Sequence, residues 1–153
     1  VNIAKKLLAR FLLLAVSMRR FMSLGSRAAV IDGENILLVN HTYVKGWQLP
    51  GGGVERGQTF ESTMRNELLE ETGFEAGKEV ELHGVFLNNL ISKRDHVALY
   101  LVRDFTKVHE FKPNGEIAQI SWFKFDQLPQ NMAPGARERI GEIFEGKEKS
   151  QYW

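Results

Sequence analysis

Three glutamates, Glu67, Glu70 and Glu71, stand at i, i+3 and i+4, a spacing that brings their carboxylates out on one side of a helix. A solvated acidic face interleaves Lys or Arg at those offsets. Here the residues three and four positions away are Thr63, Met64, Asn66, Leu68, Gly73, Phe74, Glu75 and the glutamates themselves. Like charges at i, i+4 cost a helix roughly 0.2–0.5 kcal/mol per pair, so a neutralising partner must come from outside it. A hard divalent cation with oxygen ligands meets that need. Mg²⁺ is the default, with Mn²⁺ as the alternative, because Mg²⁺ is held by a few carboxylates, waters and substrate phosphates. Just upstream runs Leu49-Pro50-Gly51-Gly52-Gly53. Such a loop lets main chain approach a ligand closely, its carbonyls free to ligate a metal and its amides to face phosphate oxygens.

A helix from Thr59 to Gly73 would position the three acids. Thr59 is the expected N-cap, Glu61 complements the helix dipole in the first turn, and Gly73 supplies a left-handed stop. Phe60, Met64 and Leu68 recur every four residues and give that helix an apolar stripe to bury.

The whole stretch from Leu49 to Phe74 resembles a Nudix box, whose pattern is G-x5-E-x7-R-E-U-x-E-E-x-G-U, with U a bulky apolar residue. Aligned on Gly52, the residues Glu67, Leu68, Glu70, Glu71, Gly73 and Phe74 match in order, and Glu55-x-Gly57 fits as well. Gln58 stands at the first Glu position and Asn66 at the Arg position. In the family those two residues form an ion pair that braces loop against helix. Here the two amides could hydrogen-bond to each other, so that the brace persists as a neutral pair. Arg65 points roughly 100° away on the helix and is a poor substitute.

The resemblance implies a Nudix-type α/β/α sandwich with a mixed β-sheet. It also implies Mg²⁺-dependent hydrolysis of a pyrophosphate bond in a nucleoside diphosphate linked to another moiety, a reaction of the acid-anhydride hydrolase class. The alternative it leaves is a catalytically weakened nucleotide-binding or regulatory module. On this reading Gly51 (through its carbonyl), Glu67, Glu70 and Glu71 hold metal, Gly52 faces the substrate, and Glu67 or a later acid is the general base. That later acid is expected from the loop Thr106 to Glu116, with Glu116 first and Glu110 second.

Elsewhere, Ser26 to Ile31 and Ile36 to Asn40 read as a hairpin across Asp32-Gly33. Short strands are expected at Trp47 to Leu49, Val80 to Leu87, His96 to Val102 and Ile117 to Phe125, with a helix over Ala133 to Phe144. That order of elements suggests a mixed sheet between helices. Trp47 reads as core. His41 and Tyr43 are available to a substrate group, Tyr43 as a stacking surface. Lys93 or Arg94 is placed in a polar loop where a phosphate contact competes with plain solvation.

At 153 residues, 43% apolar and 25% charged, the chain is one domain with a full core and no sign of wholesale disorder. Cysteine is absent, which excludes disulfides and thiolate metal sites and fits a cytoplasmic, reducing setting. Net charge is +1, yet residues 1–27 carry six cations and no acid. Arg10 interrupts the apolar run there, against a transmembrane span or a signal peptide. A basic amphipathic helix over 1–24 is expected, packed on the domain, on a partner copy, or on an anionic membrane surface through residues 1–20. The catalytic domain is expected over 25–147 and a polar tail over 148–153. The expected partner is a nucleotide-type small molecule, with no specific nucleic acid.

Overall fold

The computed structural model describes residues 22–153. The expected basic helix lies outside the described residues, apart from the first residues of β1. That strand spans Ser23–Asp32 and so begins two residues before the boundary expected at Gly25. It turns at Gly33 into β2 (Asn35–His41). Then come β3 (Trp47–Gln48), β4 (Gly51–Gly53), helix α1 (Phe60–Thr72) and β5 (Phe74–Ala76). Strands β6 (Glu81–Leu87), β7 (Asp95–Val102), β8 (Phe105–Lys107) and β9 (Ile117–Lys124) follow, and α2 (Pro134–Glu145) closes the series.

Seven strands form one mixed sheet in the order β3-β2-β1-β7-β6, with β4 on β1 and β9 on β2. β1 and β7 run parallel, Ser23 opposite Asp95 and Val30 opposite Val102; the other pairings are antiparallel. Side chains alternate across a strand, and β1 shows what that does. Ala28 and Val30 face the core under α1, with Leu37, Met64 and Leu68. Ala29 and Ile31 face the opposite core, with Leu38, Phe86 and Ile140 of α2. The result is the α/β/α sandwich, with helices on both faces.

The box helix forms as its ends require. Thr59 Oγ1 accepts from Ser62 N at 3.0 Å, and Ser62 Oγ accepts from Thr59 N at 2.9 Å. Gly73 stops the helix at φ +79°. The fully buried Met64 and Leu68 anchor its inner face.

Two features were not foreseen. β5 pairs with β8 in a second small sheet, at three residues each too short to show a period. Phe74, Phe105 and Trp122 pack edge-on or tilted around it, with centroids 5.5–5.8 Å apart. The polar tail, in turn, is packed rather than free. Trp153 N donates to the Leu87 carbonyl, Leu87 N donates to the Gln151 carbonyl, and the Trp153 ring lies 5.9 Å from Phe86. Beneath it sits a buried ionic group in which Glu142 takes His83 Nε2 at 2.9 Å, Arg139 at 2.7 Å and Ser150 N at 2.8 Å. Arg139 also donates to the Tyr152 carbonyl and lies 4.4 Å over the Phe86 ring. Polar residues such as Lys149 and Ser150 fasten this segment through main-chain and charged contacts, which hydropathy does not reveal.

Arg139→Ala strands Glu142 in the interior and should cost about 3–5 kcal/mol. Lys107→Ala, which breaks an exposed pair with Glu110, should leave the denaturant midpoint nearly unmoved. Urea titration of the two variants checks both.

Candidate active site

The site is assembled where β1, β4 and α1 meet. β4 lies on the first half of β1, Arg27 opposite Gly51 and Ser26 opposite Gly52. Gly51 adopts φ +144°, and a side chain there would collide with the Ser26 carbonyl. A methyl group on Gly52 would lie 2.6 Å from the Glu67 carboxylate. Bare backbone at these two positions is therefore what allows the acid to rest against the loop.

Glu71 fixes that arrangement. It is 4% exposed, and its two oxygens are both engaged. Oε2 accepts from Gly51 N at 2.8 Å and Oε1 contacts His41 Nε2 at 2.9 Å. The other His41 nitrogen, Nδ1, is buried without a partner. Arg27 donates to the Gly51 carbonyl at 2.7 Å and to the Leu49 carbonyl at 3.3 Å. Burial draws its guanidinium below its ordinary value, while Glu71 and Glu67 oppose that shift.

Glu67 carries the electrostatic burden of the site. Burial first, then the charges of Glu71, Glu70 and Glu116, push its carboxyl up to about 7, with Arg27 pulling the other way. The structure thus brings Glu67, Glu71 and Glu116 within one field, around Gly51 and Gly52. Glu70 adds its charge from an exposed position and lines an adjacent cavity of about 580 Å³ with Gly73, Phe111, Lys112 and Asn114. Tyr43 donates its hydroxyl to Glu116 Oε1 at 2.9 Å, its exposed ring 5.5 Å from His41. Arg94 is exposed in the β6–β7 turn, and no hydrogen bond or ion pair ties its side chain to the acids. Glu110 pairs with Lys107 at 2.6 Å and lines the same cavity as Glu70.

The neutral brace takes a different form from the one expected. Gln58 Oε1 accepts from Thr63 Oγ1 at 2.9 Å and Glu55 N at 3.2 Å, while Asn66 is exposed and makes no hydrogen bond with it. Position 66 sits on the outer flank of the helix, and Thr63, one turn earlier, is the nearer donor. Arg27 was missed: it read as part of the basic N-terminal run, although a lone cation inside an apolar strand preceding the box was its signal. His41 read as a substrate contact, whereas it is the partner of Glu71.

The donor set suits a hard cation, being all oxygen with negative charge to spare around Glu67. Among the described residues no three carboxylate or imidazole side chains close into a ready-made cage. Mg²⁺ does not require one, since it keeps waters and takes substrate phosphates alongside one or two carboxylates. The Gly51 carbonyl retains a second lone pair beyond the one Arg27 uses.

These carboxylates thus lie on one helix packed against a glycine loop at the edge of β1 in the mixed sheet. The chain belongs to the Nudix family: the NUDIX domain model matches residues 23–143. It is 31% identical over 121 residues to an RNA pyrophosphohydrolase of Bartonella clarridgeiae, covering 63% of this chain and 69% of that one. It is 33% identical over 108 residues to an m7GpppN-mRNA hydrolase of Caenorhabditis elegans, covering 67% of this chain but only 14% of the worm protein. The crystal structure of a UDP-X diphosphatase superposes with a TM-score of 0.65 at 30% identity, over 86% of this chain and 66% of that one. The protein is thus an enzyme of the Nudix hydrolase class.

Glu67 favours the proton in the fold, so folding stability without metal falls as pH rises from about 4.5 through about 7. Glu67→Gln should therefore raise the metal-free melting temperature at pH 8 and leave it unchanged at pH 4, as a thermal scan at the two pH values would read.

Proposed function

We propose that the chain hydrolyses the pyrophosphate bond of a nucleoside diphosphate linked to another moiety, with Mg²⁺, or Mn²⁺ in its place, as cofactor. The observation that carries the reading is the Glu67 carboxylate, lodged against Gly52 in a field of uncompensated acids. The Gly51 carbonyl, Glu67, Glu70 and Glu71 would hold the cation. When bound, it supplies neutralisation of phosphate charge and a more acidic water. Glu67 or Glu116 accepts the proton of the attacking water, and a carboxyl raised to about 7 suits that exchange near neutral pH. The water oxygen forms a new P–O bond in line as the bridging P–O bond breaks, leaving two phosphate-ended products. Gly52 and Arg94 face the phosphates, while Tyr43 contacts the remainder of the substrate. The named activities of the RNA pyrophosphohydrolase and the UDP-X diphosphatase support the bond class. The absence of cysteine supports a cytoplasmic setting.

A second reading, a nucleotide-binding module with slowed turnover, is favoured by the uncharged Gln58 and Asn66. Purified protein with Mg²⁺ should cleave members of a panel of nucleotide sugars, dinucleoside polyphosphates, ADP-ribose and nucleoside triphosphates. Glu67→Gln should lower kcat by about 10²–10⁴-fold if it is the base. Binding with no product, unaltered in Glu70→Gln, would favour the module instead.

Installing charge at both brace positions, Gln58→Glu with Asn66→Arg, should raise kcat/KM above the product of the two single effects. Simple multiplication would mean the two positions do not touch.

A further inference from the structure

Arg27 is the cation of β1, and the fold uses only one corner of its side chain. A guanidinium carries its donors on Nε and on both Nη atoms. Both bonds that Arg27 makes run through Nη1, to the Gly51 carbonyl at 2.7 Å and the Leu49 carbonyl at 3.3 Å. Among the described residues no acceptor meets its Nη2 or Nε. Arg139 offers a contrast: its leftover Nε is sealed in the interior, whereas the leftover nitrogens of the half-buried Arg27 are not.

The side chain is also held in place. Arg27 lies opposite Gly51 in the β1–β4 ladder, and a Cβ on Gly51 would come within 2.9 Å of Arg27 Cδ. The aliphatic stem therefore rests on bare loop backbone, and the two carbonyls orient the guanidinium. Glu71 and Glu67 are the carboxylates that act on it most. Neither hydrogen-bonds to it, since Glu71 spends its oxygens on Gly51 N and His41 Nε2. A side chain serving only as counter-ion would turn its fork onto one of these acids. Arg27 instead keeps its charge unpaired and one edge open, beside the glycine loop.

We propose that Arg27 is a substrate-binding residue whose Nη2–Nε edge takes two oxygens of one phosphate of the diphosphate. The N–H groups on that edge are parallel and match a phosphoryl group side-on, a fit that an ammonium lacks. Because Nη1 stays on the loop carbonyls, the same group ties the phosphate to the glycine backbone that carries Gly51 and Gly52. Its conformational entropy is already spent in the free protein, whereas Arg94, exposed in the β6–β7 turn, must still be ordered on binding. The inference rests on the hydrolase reading above, but its test reads binding and not turnover.

Inorganic pyrophosphate with Mg²⁺ is titrated into the full chain by calorimetry and by heteronuclear NMR of the arginine Nε–H signals. The Arg27 signal is the one missing from Arg27→Lys. That variant keeps the charge and removes the fork, so pyrophosphate affinity should fall about 10–100-fold with circular dichroism unchanged. In the wild-type chain the Arg27 signal should shift on saturation, while that of Arg139, buried under the C-terminal segment, stays in place. An unmoved Arg27 signal at saturation would overturn the proposal whatever the variant does. Equal affinity in Arg27→Lys, or no pyrophosphate binding by the intact chain, would overturn it too. Cleavage of the substrate panel beside any of those three results keeps the hydrolase reading and removes Arg27 from it. Binding through Arg27 without cleavage does the reverse.

Discussion

Glu71 is the joint on which the site depends. Its carboxylate is nearly sealed from water and spends one oxygen on Gly51 N, the other on His41 Nε2. Three elements are thereby pinned to one functional group: the helix that carries it, the glycine loop and the end of β2. Losing one partner of such a buried group costs about 3–5 kcal/mol, so the loop cannot drift from the helix cheaply. With Gly51 held there, Gly52 falls under Glu67, and only a residue without a side chain tolerates that approach. A stability requirement and a catalytic geometry are met by the same two bonds.

Glu142 is another buried carboxylate, and its surroundings contrast with those of Glu71. Glu142 is surrounded by His83, Arg139 and the Ser150 amide, so its lone pairs are met and a full positive charge lies beside it. That cluster fastens the C-terminal segment. Around Glu71 the balance is different. Arg27 is the cation that bears on Glu67, against which Glu71, Glu70 and Glu116 all act with the opposite sign. One guanidinium, already committed to two carbonyls, does not neutralise four acids. The surplus shows in the raised carboxyl of Glu67, the electrostatic mark of a group waiting for a proton or a cation.

What the sequence revealed follows from which forces leave a periodic trace. The box helix was legible because a cap, an apolar stripe and a stop agree on the same boundaries at Thr59, Met64, Leu68 and Gly73. The β1–β2 hairpin was legible because Asp32-Gly33 separates two apolar runs. The roles of Arg27 and His41 were not, since each acts on an atom more than twenty residues away along the chain. The packing of the tail was not legible for a related reason: Lys149 reaches the His83 carbonyl across 66 residues, and composition records only that it is polar. Tyr43 and Glu116 were each selected, but for separate tasks; their hydrogen bond is a product of the strand pairing that brings β2 beside β9.

An ion pair at positions 58 and 66 would tie the loop to the helix, yet here both side chains, Gln58 and Asn66, are uncharged. Gln58 still ties the loop to the helix through Thr63 Oγ1 and Glu55 N. The inner carboxylate is oriented independently, from the other side of the helix, by His41 and Gly51. A neutral hydrogen bond contributes roughly 0.5–1.5 kcal/mol, whereas a charged one contributes roughly 1.5–3. The substitution therefore weakens the outer tether by an amount the buried anchor of Glu71 exceeds. Gln58 thus tethers the loop to the first turns of the helix, while His41 and Gly51 hold Glu71 on its inner face.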